Sequence, residues 1–273
     1  MIVYTSPFLL AAAAAGQPLT NPRIGYQTWL RDLAASAVTV SGETEEGPKD
    51  MPLRPDTATY WRPPALPATW IADLGATRDV DYVGLVGSLG SSGASVLVET
   101  SIDDGVWTVL GAEALPADDA PLLFLDASRQ ARKVRLTVKG VGGAVPRIAS
   151  VYAGEILAMP RAIYGGHAPL TLSRVTALSN TMSRGGQFLG QEIRRHGVQG
   201  SASFRHLTAA WYRANFDPFV KAARNYPYFF GWRPETFPLE SAYVWTTEDI
   251  QPQNMGLRDF LQVSVPMIGI GHA

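Results

Sequence analysis

Apolar and polar residues alternate with a period of two along much of this chain. Val134-Arg135-Leu136-Thr137-Val138-Lys139 is the clearest case, and that period marks a strand with one face buried. Trp70 to Gly75, Val80 to Gly87 and Ser95 to Thr100 are strand-like runs broken by Gly, Pro and Asp at short intervals. Such spacing belongs to a β-sandwich or barrel. Met1 to Leu10, Ala37 to Ser41 and Ile148 to Tyr152 read as further strands. Asp104-Gly105, between Val98–Ser101 and Val106–Val109, predicts a tight hairpin, because such turns need positive φ. Gly42 to Pro55, acidic and rich in proline and glycine, predicts an exposed loop.

Past Gly154 the texture changes. Thr171 to Thr176, Phe188 to Arg195, Val198 to Phe204, Tyr243 to Trp245 and Leu261 to Met267 predict strands, and Thr208 to Phe216 predicts a helix. Asp217-Pro218 reads as a second helix start, since Asp accepts from free amides and Pro fits a first turn. Phe219, Ala222 and Ala223 follow at helical spacing. Tyr226 to Phe237 is strongly aromatic, and strand alternation would send about half of its rings to each face. Two β-rich domains are expected, 1–154 and 155–273, with residues 1–15 able to pack on the second.

Composition narrows the chemistry. A length of 273 residues suits two domains, and mean hydropathy near zero suits a globular chain. A net charge of −1 offers no basic field for nucleic acid. With no cysteine, disulfides, thiolate metal sites and cysteine nucleophiles are excluded. Phe8-Leu9-Leu10 followed by Ala11 to Ala15 resembles a signal-peptide core, but the first base is Arg23, so the segment reads as part of the mature fold. No apolar run reaches the roughly 20 residues a membrane span needs.

The acidic pairs Glu45/Glu46, Asp103/Asp104 and Asp118/Asp119 read as solvated turn residues rather than a glycosidase pair, which must face across a cleft. His167, His196, His206 and His272 have no zinc-site spacing. Neither a G-x-S-x-G elbow nor a phosphate-binding loop occurs, and Gly140 to Gly143 is read as a loop without that role. No cofactor and no enzymatic activity are expected.

Asp56, Thr59 and Trp61, then Trp70-Ile71-x-Asp73-Leu74-Gly75, then Ser101-x-Asp103-Asp104-Gly105-x-Trp107 run in an order that resembles a discoidin domain. This is the coagulation-factor-type, galactose-binding-like jelly roll, and the resemblance covers about Gly25 to Gly154. It implies that Trp61, Trp70 and Trp107 are core or wall residues more than sugar platforms. It places any ligand surface on loops at one end of the sandwich, with Glu45, Glu46, Lys49, Asp50, Arg54, Ser88 and Ser91 as candidates. Sugar-binding members carry an arginine just after the strand matching Val83 to Val86, where this chain has Gly87-Ser88-Leu89-Gly90. Asp56 and Thr59 match part of the family's structural calcium site, but Ser150 stands where its closing Glu belongs.

In the second half, Phe188-Leu189-Gly190, Ser203-Phe204, Trp211-x-Arg213-x-x-Phe216-x-Pro218-Phe219, Pro227-Tyr228-Phe229-Phe230-x-Trp232-x-Pro234 and Asp249-Ile250-x-Pro252-Gln253-Asn254-x-Gly256 also fall in a familiar order. They resemble the β-sandwich-plus-helix domain of tail-tube-like and distal-tail proteins of long-tailed bacteriophages and gene transfer agents. The resemblance implies a virion structural protein of the tail tip. It would form a homo-oligomeric ring, a hexamer before a trimer, in contact with tail tube and tail hub proteins. The discoidin-like domain would face outward for assembly or contact with a host-surface glycan. Tyr228, Phe230, Trp232 and Phe237 are the interface candidates. Two other readings stand beside this one: a lectin-like binding protein, or a carbohydrate-active enzyme with an accessory discoidin module.

Overall fold

The chain is mainly β, built from antiparallel sheets with a few short helices. A computed structural model describes residues 2–5, 20–103, 105–140, 144–163, 165–256 and 259–271. The Ala11 to Ala15 run, Val141 to Gly143 and His272 lie outside them.

The first sheet is organised on two long strands, β4 (Ala68–Gly87) and β7 (Leu122–Gly140). They pair antiparallel from Ala68↔Val138 to Leu85↔Leu122, with register shifts between Asp73 and Arg78 and between Val80 and Tyr82. β3 (Val38–Val40) and β8 (Ile148–Gly154) pair with opposite halves of β4. β5 (Ala94–Ser101) and then β6 (Thr108–Val109) continue beyond β7. The core draws Trp70, Ala72 and Leu74 from one half of β4 and Val83 and Leu85 from the other, so the sheet folds over itself at the register shifts. In the first half of β4 burial alternates: Ala68, Trp70, Ala72 and Leu74 point in. From Tyr82 to Val86 every residue is buried, because both faces of the strand are covered.

The second sheet runs β10-β11-β15-β13-β12-β2-β9, with β14 (Pro252–Asn254) beside β15 (Phe260–Gly271). β10 is Arg174–Met182, β11 Phe188–Thr208, β12 Tyr228–Gly231, β13 Ser241–Thr246 and β9 Leu157–Ala158. The two predicted strands after Phe188 are thus one. β2 (Arg23–Gly25) also belongs here, paired with β12 and β9. This corrects the expected division at 154, because a piece of the first segment completes the second sheet. Conversely β1 (Ile2–Thr5) pairs in parallel with β7, in the first sheet rather than on the second domain.

α1 is Leu89–Ser92, a single turn before β5. The second sheet wraps a continuous helical run: α2 (Ala209–Trp211), a π turn (Tyr212–Phe216) and α3 (Asp217–Ala223). Thr208 caps it, its Oγ1 accepting from the Trp211 amide at 3.3 Å. Asp217-Pro218 does open α3, as expected, with Pro218 in its first turn, but α3 continues the π turn without a break, so Asp217 caps no free helix end. The π turn accommodates Pro218, which has no N–H and would crowd a regular helix. Phe216, Phe219 and Val220 bury against Phe204, Val244 and Val265.

Between the sheets lies a third apolar cluster: Tyr82, Val86, Leu123, Leu125 and Tyr152 from the first, Phe229 and Tyr243 from the second. Phe229 sits 5.5 Å from Tyr152 and 4.9 Å from Tyr243, ring centre to ring centre. A methyl group on Gly84 would overlap the Phe229 ring, so the close approach requires glycine. The Tyr152 hydroxyl donates to Pro227 O at 3.0 Å and the Tyr243 hydroxyl to Pro55 O at 2.6 Å, so hydrogen bonds cross the junction both ways. Arg31 lies 3.7 Å over the Tyr226 ring.

Candidate functional site

The loop before β4 is shaped from the core outward. Trp61 Nε1 donates to Gly42 O at 3.0 Å and Trp70 Nε1 to Lys49 O at 2.9 Å, and both rings are wholly buried. The indoles fill the core and satisfy loop carbonyls, so neither is open to a ligand. Trp107 departs from the expected pattern. It is only half-buried, its ring 4.0 Å from the Arg135 guanidinium, which is bidentate to Glu99 at 2.8 Å. It stands just before β6, which is the last strand at that edge of the sheet among the described residues. The predicted tight turn is also a longer loop from Ile102 to Trp107, where Asp103 Oδ1 accepts from the Gly105 amide at 3.0 Å.

The ligand-loop candidates do not converge. Glu45 and Glu46 are exposed, and Glu46 reaches Arg62 at 3.5 Å. Asp50 meets Arg54 at 3.7 Å, while the Lys49 amide donates to Glu43 at 2.6 Å. Asp56 and Thr59 close on one another: Oδ1 of Asp56 accepts from the amides of Ala58 and Thr59 and from the Thr59 hydroxyl, at 2.8 to 3.0 Å. Burial would raise the Asp56 carboxyl, but these donors and the Arg54 charge hold it below the usual range. That pair is a turn, and no group of three His, Asp or Glu fit to hold a metal occurs among the described residues.

Ser88 does line a cleft. Its volume is about 290 Å³, and Tyr60, Ser88, Asp119 and Arg147 share its wall with Thr57 and with Ile270 of the second sheet. The Arg147 guanidinium lies 4.8 Å over the Tyr60 ring. The Arg147 amide donates to Ser88 Oγ and the Ser88 amide to Arg147 O, both at 2.9 Å, which pins the two segments together. Ser91, from the same expected set, donates its amide to Asp119 Oδ1 at 2.8 Å. A side chain on Gly90 would strike the Asp118 backbone, so glycine lets α1 approach this loop. The arginine missing after Val86 is thus matched by one that arrives from the segment before β8. A planar five-donor guanidinium, an aromatic face, a carboxylate and a hydroxyl can together hold a polyhydroxylated ligand. Nothing local in the sequence points to Arg147; only the Ile148↔Gly87 pairing brings it there.

In the second sheet, Tyr228 and Phe230 are fully buried and packed into the chain's own core, so these two interface candidates are corrected. Phe229, between them, points the other way into the junction with the first sheet. Trp232, half-buried, and Phe237, exposed, stack at 5.2 Å with an interplanar angle of 4°, with His167 4.9 Å from Trp232.

No family model matches the chain, and no curated protein does. Solved structures similar to part of it include chitosan-binding module 1 of a chitosanase/glucanase from Paenibacillus sp. IK-5, at 16% identity, 47% of this chain, 99% of that chain and a TM-score of 0.41. Another is the CBM32 of AlyQ in complex with 4,5-unsaturated mannuronic acid, at 20% identity, 43% of this chain, 92% of that one and a TM-score of 0.38. A pectin-binding carbohydrate-binding module matches at 18% identity, over 44% and 89% of the two chains, with a TM-score of 0.39.

Proposed function

We propose that this chain is a structural, non-catalytic protein of the tail tip of a long-tailed phage or phage-like particle. Its second sheet would stand in a ring at the distal end of the tail tube, in contact with tube and hub proteins. Its first sheet would face outward, with the Arg147–Tyr60 cleft turned to a host-surface glycan. The observation that carries the reading is how the second-half motifs come together. Phe204, Trp211, Phe216, Phe219, Tyr228 and Phe230 all build or flank one core of sheet around helix. The ordered sequence motifs of that unit are the ones that resemble the tube-like domain, and the unit packs on the first sheet through a buried aromatic junction. Microscopy of assembled particles tests it. Density for this chain at the end of the tube is expected, and its absence from the tail tip would refute the reading.

A second reading, a lectin-like protein whose whole task is glycan binding, is favoured by the cleft alone. It predicts a monomer. Glycan-array binding by the wild type, lost by at least about tenfold in Arg147→Ala, is expected for the cleft under either reading. No binding by the wild type would remove the glycan from both.

A further inference from the structure

From Arg174 to Met182 no residue of β10 is buried, and neither are the described side chains at the start of β11. These strands form a two-stranded ribbon in which Leu178 pairs with Ile193, Asn180 with Gln191 and Met182 with Phe188. Residues 178, 180 and 182 share one face of β10, and a bulge in β11, where the pairing passes over Leu189 between Gly190 and Phe188, sets Phe188 opposite Met182. Leu178 (50%), Ile193 (62%), Met182 (63%) and Phe188 (66%) therefore stand as two cross-strand apolar pairs on one open face. Ser179, Thr181 and Glu192 take the other face. A lone two-stranded hairpin is marginally stable in water, and an open apolar patch on it marks a contact surface.

Charge decides what covers it. Between Arg174 and Thr208 the chain carries Arg174, Arg184, Arg194, Arg195 and Arg205 against one acid, Glu192. Since the whole chain has a net charge of −1, the rest of it is acidic. Two ribbons face to face would juxtapose like charge, which opposes association. Among the described residues the other main group of exposed large apolar side chains is Ile102, Val106, Val109 and Leu115, along the β6 edge of the first sheet. No Lys or Arg occurs between Asp79 and Ser128. The bases that reach this edge from β7 are engaged: Arg129 with Asp126, Arg135 with Glu99, Lys139 with Glu113. Asp103 adds negative charge at its end.

We infer that the apolar face of the β10–β11 ribbon docks on the β6 edge of a second copy of this chain. The contact uses two different surfaces of each copy, so it is head-to-tail and propagates to a ring or a filament. The inference rests on the ring-building reading and names the surfaces that build it.

Sedimentation velocity and native mass spectrometry of the full chain test it, with Phe188→Asp on the ribbon and Val106→Arg on the edge. Both positions are exposed, and circular dichroism checks that each variant folds. The wild type is expected to assemble beyond a dimer, less so in high salt. Each variant alone should lose at least about tenfold in association. An equimolar mixture of the two variants should give heterodimers and nothing larger, because it supplies one intact ribbon and one intact edge. A wild type that stays monomeric at the highest attainable concentration would overturn the ring-building reading and the inference together. Wild-type assembly that Val106→Arg leaves unchanged, or a mixture that regains full size, would overturn the inference alone.

Discussion

Asp81 sits on β4 where the first sheet meets the second, and replacing it with Asn should stabilise the protein at neutral and alkaline pH. Its Oδ1 accepts from the Ile156 amide at 2.7 Å. Burial, with the Glu155 charge added, pushes its carboxyl up from 3.8 to about 7, despite that bond and the opposing charge of Arg23. In the unfolded chain the carboxyl returns to its ordinary value. The folded state therefore binds the extra proton between about 3.8 and about 7, and stability falls as pH rises through that window and is flat above it. At about 1.4 kcal/mol per pKa unit, the ionised carboxylate costs up to about 4 kcal/mol at pH 8. Asn keeps the acceptor for Ile156 and has no charge to bury. Urea unfolding of both proteins at pH 4 and pH 8 measures this. The variant should match the wild type at the acid end and exceed it by roughly 2 to 4 kcal/mol at the alkaline end. The difference between the two proteins cancels the titrating groups that do not interact with Asp81, leaving Asp81 with its neighbours Glu155 and Arg23. A variant equally destabilised at both pH values would show that Asp81 is held charged, as a partner of Arg23, and would sink the reasoning.

Trp61→Ala or Trp70→Ala should cost about 3 to 5 kcal/mol, whereas Trp107→Ala, which loses a cation–π contact and half its burial, should cost about 1 kcal/mol; urea midpoints rank the three. Gly84→Ala should cost about 1 to 3 kcal/mol by overpacking against Phe229, read as a lower melting temperature, and an unchanged melting temperature would mean that the two sheets part easily. Chelation by EDTA should leave the melting temperature where it was, and a fall of many degrees would assign a cation to Asp56 and Thr59.

Alternation made the strands legible. Trp70, Ala72 and Leu74 point into the core as their period of two requires, and Val134 to Val138 do the same. The aromatic run after Pro227 was legible in part: its rings divide between two faces, but the face opposite Tyr228 and Phe230 meets the first sheet, not a neighbour. What alternation does not carry is pairing across long sequence separations. Arg23 to Gly25 is too short to announce itself as a strand, and only its partners, Phe229 to Gly231 and Leu157 to Ala158, place it in the second sheet. The cleft was illegible for the same reason. Tyr60, Ser88, Asp119 and Arg147 come from four separate segments, and their meeting depends on β8 lying beside β4.

The junction ties these surfaces to one another. Ile270 lies on β15, which also pairs with β11 and so with the base of the ribbon, and the same residue helps to wall the Arg147 cleft. Tyr243 pairs with Ile270 across the sheet and donates its hydroxyl to Pro55 O, in the loop that leads to Tyr60. A ribbon docked on a neighbouring copy would therefore be linked to the cleft through paired strands and one part-buried hydrogen bond. Desolvation accounts for why the centre of this junction is built from aromatics rather than ions. Tyr82, Tyr152, Phe229 and Tyr243 fill the space between the sheets, where an ion pair would have to overcome desolvation and contribute little net stability. The charged cluster at this boundary, Asp81 with Arg23 and Glu155, is where burial pushes the carboxyl to about 7. In the proposed ring, a copy held by its ribbon would fix the direction in which its cleft faces, and every cleft would face the same way relative to the ring axis.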